Sequence, residues 1–143
     1  FDALRLMDTP ELRQQLDAIL TRYKLEAHRD STVSALAQGV RKLLDIAMAV
    51  VSRPRILLLD EPTSGISVEE KFDFMDIVMD ALKEDGVTVL FVEHDMEIVA
   101  RYVSRVLAFY QGEIIADMPP KKALSDKKVQ EFVIGKEHHK RKK

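Results

Sequence analysis

Residues Arg55 to Gly65 read Arg-Ile-Leu-Leu-Leu-Asp-Glu-Pro-Thr-Ser-Gly, an apolar run that stops abruptly on two adjacent carboxylates. Ile56 to Leu59 follow one another without polar alternation, the pattern of a strand buried on both faces of a parallel sheet. Ligands collect at the carboxyl ends of such strands, and Asp60 and Glu61 stand at that end. One carboxylate there can bind Mg2+ directly or through water. Its neighbour can take a proton from a water attacking a phosphate. Taken alone, the same pattern also occurs where a chain simply leaves a core for solvent.

The flanking sequence narrows the choice. Upstream lies Val33-Ser34-Ala35-Leu36-Ala37-Gln38-Gly39-Val40-Arg41-Lys42, running into an apolar stretch that ends near Ser52-Arg53-Pro54. Downstream, Val87 to Glu93 forms a β-branched and aromatic strand, and His94 emerges at its carboxyl end. With these three segments in order, the chain resembles the ATP-binding-cassette (ABC) ATPases from Thr9 to Gly135. Leu36 to Val40 occupies the place of the signature, Ile56 to Glu61 that of the Walker B strand, Ser64 to Ser67 that of the D-loop, and His94 that of the switch histidine. The wording LDEPTSGIS, FVEHDMEIV and QGEIIAD looks most like the cassettes of branched-chain amino-acid and urea-type importers.

The resemblance implies ATP and Mg2+ as cofactors, Glu61 as general base, Asp60 as the Mg2+ ligand and His94 at the γ-phosphate. It also implies that Ala37, Gln38 and Gly39, with the helix that follows, face the phosphates bound by an opposite cassette, and that Ser64 lies in the loop near them. The signature departs from the family pattern. Ala37 stands for the usual serine, Gln38 for the first glycine and Val40 for the final glutamine, while Leu36 and Gly39 match. Loss of the serine's charge-assisted hydrogen bond costs on the order of 1.5–3 kcal/mol, which leaves the helix dipole and the Gly39 amide to act. Gly39 also reads simply as a turn glycine before a helix.

No Gly-x-x-x-x-Gly-Lys-Ser/Thr occurs among the 143 residues, so they contain no backbone loop and lysine to hold β- and γ-phosphates. In the family that loop precedes the signature. The chain is therefore expected to be the C-terminal portion of a cassette, hydrolysis-incompetent in isolation and needing an N-terminal half that carries the phosphate loop. The further partners expected are a second cassette and transmembrane permease subunits, with the chain peripheral at the cytoplasmic face of the membrane. The overall expectation is an importer ATPase, with branched-chain amino acids as the solute the wording suggests. Two alternatives stay open: a non-catalytic interaction fragment, and part of a soluble ABC ATPase.

Composition agrees with one globular unit. Charged residues make up 32% of the chain, its net charge is −2, and it has no cysteine, which removes disulfides and thiolate metal sites from consideration. The near balance gives no electrostatic case for nucleic acid, although Lys136 to Lys143 is locally basic and reads as a solvated tail. No apolar stretch reaches transmembrane length. His28, His138 and His139 carry no metal-ligand spacing.

Element signals complete the reading. Thr9 and Pro10 open a helix over Glu11 to Tyr23, with Leu12, Leu16, Ile19 and Leu20 facing a core or a neighbouring helix. A second helix starts at Gly39 or Val40 with Leu43, Leu44, Ala47, Val50 and Val51 on its apolar side. Ser67 and Glu70 form a capping box for a third, which carries Phe72, Met75, Val78, Met79 and Leu82 as far as Gly86. Asp95 caps a helix through Val103. A hairpin spans Val106 to Tyr110 and Ile114 to Ala116 about a Gln111-Gly112 turn, and Pro119-Pro120 lead into a closing helix through Ile134. The fold expected is α/β, an incomplete P-loop NTPase-type parallel sheet with an N-terminal helical subdomain. Its expected divisions are 1–39 for the helical subdomain, 40–135 for the ATPase core and 136–143 for the basic tail. The strand missing between neighbours should leave apolar strand edges exposed, with marginal stability, association or docking of a further segment as the consequence.

Overall fold

The computed structural model describes residues 9–135; residues 1–8 and the basic tail at 136–143 lie outside the described residues. Thr9 has extended backbone, and its Oγ1 accepts the N–H of Leu12 at 3.3 Å, so α1 (Pro10–Arg22) begins where the Thr-Pro signal puts it. A hydrogen bond with its own backbone, and a second with the Thr9 side chain, hold the Glu11 carboxyl below its ordinary range. The apolar stripe of α1 is only partly used. Leu20 is buried and Ile19 half-buried, whereas Leu12 and Leu16 stand exposed, so packing is confined to the carboxyl end of the helix. There Tyr23 is fully buried, and Arg22 pairs with Glu84 and Asp85 at the end of a later helix.

Two short 3-10 turns, Glu26–His28 and Val33–Ala35, lead into α2 (Gln38–Val50). It buries Leu43, Ile46, Ala47 and Val50; Val51, expected on this face, lies beyond the helix end and is exposed. The chain turns at Arg53 and enters β1 (Ile56–Asp60). A loop and turn then precede α3 (Lys71–Glu84), and Gly86, with φ +66°, reverses the chain into β2 (Thr88–Val92). Ser67 sits one turn before α3 instead of capping it. Its Oγ accepts the Glu70 N–H at 3.3 Å and donates to the Glu70 carboxylate at 2.9 Å, and Glu70 itself becomes the N-cap. The buried stripe of α3 is Phe74, Met75, Val78, Ala81 and Leu82; Phe72 and Met79 are half-buried at its margin.

β1 and β2 are hydrogen-bonded neighbours, and the Thr88 N–H donates to the Arg55 carbonyl at 3.0 Å, so both strands start at the same end. They run parallel with α3 as the crossover, which gives the α/β arrangement expected from the apolar run. Two-sided burial of β1 does not hold among the described residues. Leu57 is buried, but Ile56 and Leu58 are 62% and 69% exposed. The cause is geometric: successive strand side chains alternate between faces, and only one face of this pair is covered.

By its contacts the chain divides at Phe91 and Val92 into two units. In the second, Asp95 accepts the Glu97 N–H at 2.9 Å and caps α4 (Met96–Tyr102). β3 (Val106–Tyr110) and β4 (Glu113–Met118) form the expected antiparallel hairpin. Both turn residues have left-handed backbone, Gln111 at φ 49° and Gly112 at φ 83°, which matches the twist of the strands. Arg105 grips Asp117 through two hydrogen bonds of 2.7 Å, lowering the carboxyl's pKa by that hydrogen bonding. The single closing helix expected after Pro119 is instead two, α5 (Pro120–Ser125) and α6 (Lys127–Phe132). Asp126 breaks it with extended backbone (ψ 133°), and its carboxylate accepts the N–H groups of Lys128 and Val129 to start the next helix. Ala108, Ala116 and Val129 form the small core of this unit, with Tyr110 stacked on Phe132 at 4.6 Å.

Candidate functional site

At the carboxyl end of β1, Asp60 is exposed and Glu61 half-buried, after which Pro62 and Thr63 turn inward and are buried. Glu61 has φ 44°, a left-handed conformation that side chains bearing a Cβ seldom adopt. A turn bond from the Ser64 N–H to the Glu61 carbonyl, 3.0 Å, closes the loop locally. Two bonds come from further away. Lys42 Nζ donates to the carbonyls of Glu61 and Pro62 at 3.1 and 2.9 Å, and Gln38 Nε2 reaches the Ser64 carbonyl at 3.5 Å. Gln38 and Lys42 lie four residues apart, hence on one face of α2.

The amino end of α2 thus lies beside the loop that carries Glu61. Ala37 is its N-cap and supplies no side-chain hydrogen bond, so the N–H groups of the first turn have no side-chain acceptor there. A Cβ at Gly39 would meet nothing within 4 Å, whereas one at Gly65, where φ is +74°, would fall 2.1 Å from Gln38 Nε2. Gly65 therefore lies against the end of the Gln38 side chain, which comes from α2. Of the residues singled out from sequence, Ala37, Gln38 and Gly39 begin α2, Asp60 ends β1 with Glu61 the next residue, and Ser64 joins them through Gln38.

His94 belongs to the second unit, exposed, two residues beyond β2. Its N–H donates to the Glu93 carboxylate at 2.9 Å, and the Asp95 N–H donates to the same oxygen at 3.4 Å. Lys42 was not foreseen. Its one signal was the i+4 spacing from Gln38 on the polar side of an amphipathic helix, and a bond to backbone carbonyls leaves no residue pattern in the loop it serves.

The donor set suits a hard divalent cation that keeps most of its own shell. Asp60 and Glu61 offer carboxylate oxygens, and among the described residues no group of three or more His, Cys, Asp or Glu side chains gathers to hold a metal by protein ligands alone. Mg2+ is bound in that fashion, by one or two carboxylates with phosphate and water completing the octahedron. The uncapped start of α2 likewise suits an anionic group.

This fold is that of ABC ATPase cassettes, and residues 1–64 match the family model described as ABC transporter. The chain is thus similar in sequence over residues 1–64, and in fold over most of its length, to the ATP-binding cassettes of ABC transporters. Over 119 residues it is 32% identical to the energy-coupling factor transporter ATP-binding protein EcfA3 of Clostridium perfringens, covering 83% of this chain and 42% of that protein. Over 120 residues it is 32% identical to the phosphonates import ATP-binding protein PhnC 2 of Haloarcula marismortui, covering 84% and 44%. The crystal structure of the ADP conformation of MJ1267, an ATP-binding cassette of an ABC transporter, superposes with a TM-score of 0.78 at 32% identity, over 90% of this chain and 52% of that one. The chain spans about half the length of such relatives, or less.

Proposed function

We propose that the chain works as the Walker B, D-loop and signature portion of an ATP-hydrolysing cassette that drives a membrane transporter. The observation that carries this reading is the Asp60–Glu61 pair at the end of a parallel strand, with the Glu61 loop hydrogen-bonded to the start of α2. When bound, Mg2+ with ATP supplies charge neutralisation at the phosphates. Asp60 holds the cation. Glu61 accepts the proton of the attacking water, and His94 donates a hydrogen bond to the γ-phosphate. Ala37, Gln38 and Gly39 present the first-turn amides of α2 to phosphate bound in a second cassette, with Ser64 in the loop beside them.

On this reading the residues up to 39 form a helical subdomain, 40–135 the ATPase core and 136–143 a tail. The phosphate loop comes from an N-terminal cassette half. Two cassettes act on permease subunits at the cytoplasmic face of the membrane, and among the described residues no helix is long and apolar enough to cross it. Small-solute import is the favoured work. Local wording suggests branched-chain amino acids, while one relative is named for phosphonates, so uptake assays with both solute classes separate the two. A non-catalytic docking fragment is the second reading, supported by the exposed Ile56, Leu58, Leu90 and Val92.

The test is Glu61→Gln in the full-length natural protein assembled with its partners. Expected is a fall in ATP turnover on the order of 100-fold or more with ATP binding retained, as general-base loss typically produces. Unchanged turnover removes Glu61 from the role.

A further inference from the structure

We propose that Lys42 is a positioning residue for Glu61, acting through the backbone of the loop and not through ATP. The inference rests on the reading of Glu61 as general base.

The left-handed backbone at Glu61 sets the direction of its Cα–Cβ bond, and for a residue with a Cβ that conformation is strained, so it persists only where its surroundings enforce it. The enforcing groups are visible. The Lys42 ammonium spans two successive carbonyls, those of Glu61 and Pro62, at 3.1 and 2.9 Å. These are charge-assisted bonds from a half-buried side chain, stronger than neutral ones. The turn that follows is fixed by the Ser64 N–H on the Glu61 carbonyl and by Gln38 Nε2 on the Ser64 carbonyl. Gly65 lies so close to Gln38 that a side chain there would collide with it. The Glu61 carbonyl therefore accepts from both Lys42 and Ser64, which pins the peptide plane immediately after the carboxylate-bearing residue.

The consequence is a link between two segments. Lys42 lies on the same face of α2 as Gln38, and α2 starts at the residues assigned to a partner cassette's phosphate. A shift of α2 along its axis would draw the Glu61 peptide with it. Without the ammonium, the Glu61 and Pro62 carbonyls lose their charge-assisted bonds, and relaxation of the Glu61 backbone toward a right-handed or extended conformation turns the carboxylate away from its place. Lys42 is thus expected to govern turnover while leaving nucleotide affinity alone.

The experiment compares wild type, Lys42→Met, Lys42→Arg, Glu61→Gln and the Lys42→Met/Glu61→Gln double variant, each as the full-length natural protein with its partners, measuring kcat and KM for MgATP. Lys42→Met keeps the aliphatic stem and removes the donors. Expected is a kcat lowered on the order of 10- to 100-fold, the effect of misplacing a reacting group by about an ångström, with KM within about twofold, since uniform binding is untouched. Lys42→Arg retains charge and donors and should keep kcat within about fivefold of wild type. In the Glu61→Gln background, Lys42→Met should lower the residual rate no further.

Three results overturn the proposal. One is wild-type kcat in Lys42→Met alongside an inactive Glu61→Gln. Another is an equal loss from Lys42→Met in both backgrounds. The third is a rise in KM that accounts for the whole effect. Should Lys42→Met fail to fold, Lys42→Arg and Lys42→Gln carry the comparison, and equal kcat in those two sinks it. Normal turnover by Glu61→Gln is a different failure, that of the general-base reading beneath.

Discussion

Along β1, Leu57 keeps 9% of its surface exposed while its neighbours Ile56 and Leu58 keep 62% and 69%; in β2, Leu90 and Val92 keep 54% and 56% with Val89 and Phe91 half-buried between them. One parallel strand pair therefore has a covered face and an open apolar one. Both faces are built from large apolar side chains, so hydrophobicity does not separate them. What separates them is whether helices of the same unit lie against them. Parallel strands in α/β proteins are ordinarily covered on both sides, and contiguous exposed apolar surface of this kind marks a contact surface. The loop bearing Glu61 leaves the same strand, yet its anchors, Lys42 and Gln38, come from α2.

The contrast predicts its own largest effect. In urea unfolding of the 143-residue chain, Leu57→Ala should cost about 2–5 kcal/mol, the range for truncating a buried leucine, and Leu58→Ala less than about 0.5 kcal/mol, as for an exposed position. Equal costs would mean that Leu58 is buried in solution, by self-association or by another segment. Repeating the pair across a hundredfold range of protein concentration distinguishes those two causes.

Much of this arrangement can be read from local chemistry. Thr9 with Pro10, Asp95 before α4, and Gln111-Gly112 in the hairpin each carry their signal within four residues, because caps and tight turns are satisfied by adjacent backbone. The apolar run named the strand and its parallel setting, but composition cannot tell a face that is covered from one that is only suited to covering. The Ser67–Glu70 pattern was present and came out one turn early, with Glu70 as the cap. Asp126 divided a helix whose periodicity looked continuous. At the candidate site the carboxylates and the start of α2 were legible as motifs. The Lys42 bridge was not, because its acceptors are main-chain carbonyls that any residue supplies.

The packed side contains a polar exception that sharpens the comparison. Tyr23 is 1% exposed, and among the described residues its hydroxyl has no hydrogen-bond partner. Burial, reinforced by the nearby Asp85 charge and opposed by Arg22, pushes its pKa up to about 12 from an ordinary 10.0. With the folded value above the unfolded one, the neutral phenol's contribution is complete below about pH 10 and is lost as pH rises through about 12. Tyr23→Phe should remove that alkaline loss and, by deleting an unsatisfied buried group, raise stability at pH 7 by up to about 1 kcal/mol. Urea midpoints between pH 7 and 12 check both; an unchanged alkaline slope in Tyr23→Phe would place the titration elsewhere.

A solvated helix cap provides the yardstick for the open face. Thr9 contributes one hydrogen bond to the Leu12 N–H at an exposed helix start. Thr9→Ala should cost about 0.5–1 kcal/mol, the low end for an N-cap. It should also steepen the acid side of the profile less, because Glu11 loses the second of the two bonds that keep its carboxyl low. That stabilisation is present above the ordinary glutamate range and is lost as pH falls through the lowered folded value. On the open face Leu58→Ala should cost less than this single solvated cap, although it deletes far more apolar volume. If instead it costs more than Thr9→Ala in the same buffer and at the same concentration, the face is covered in solution, and the docking surface has found its occupant.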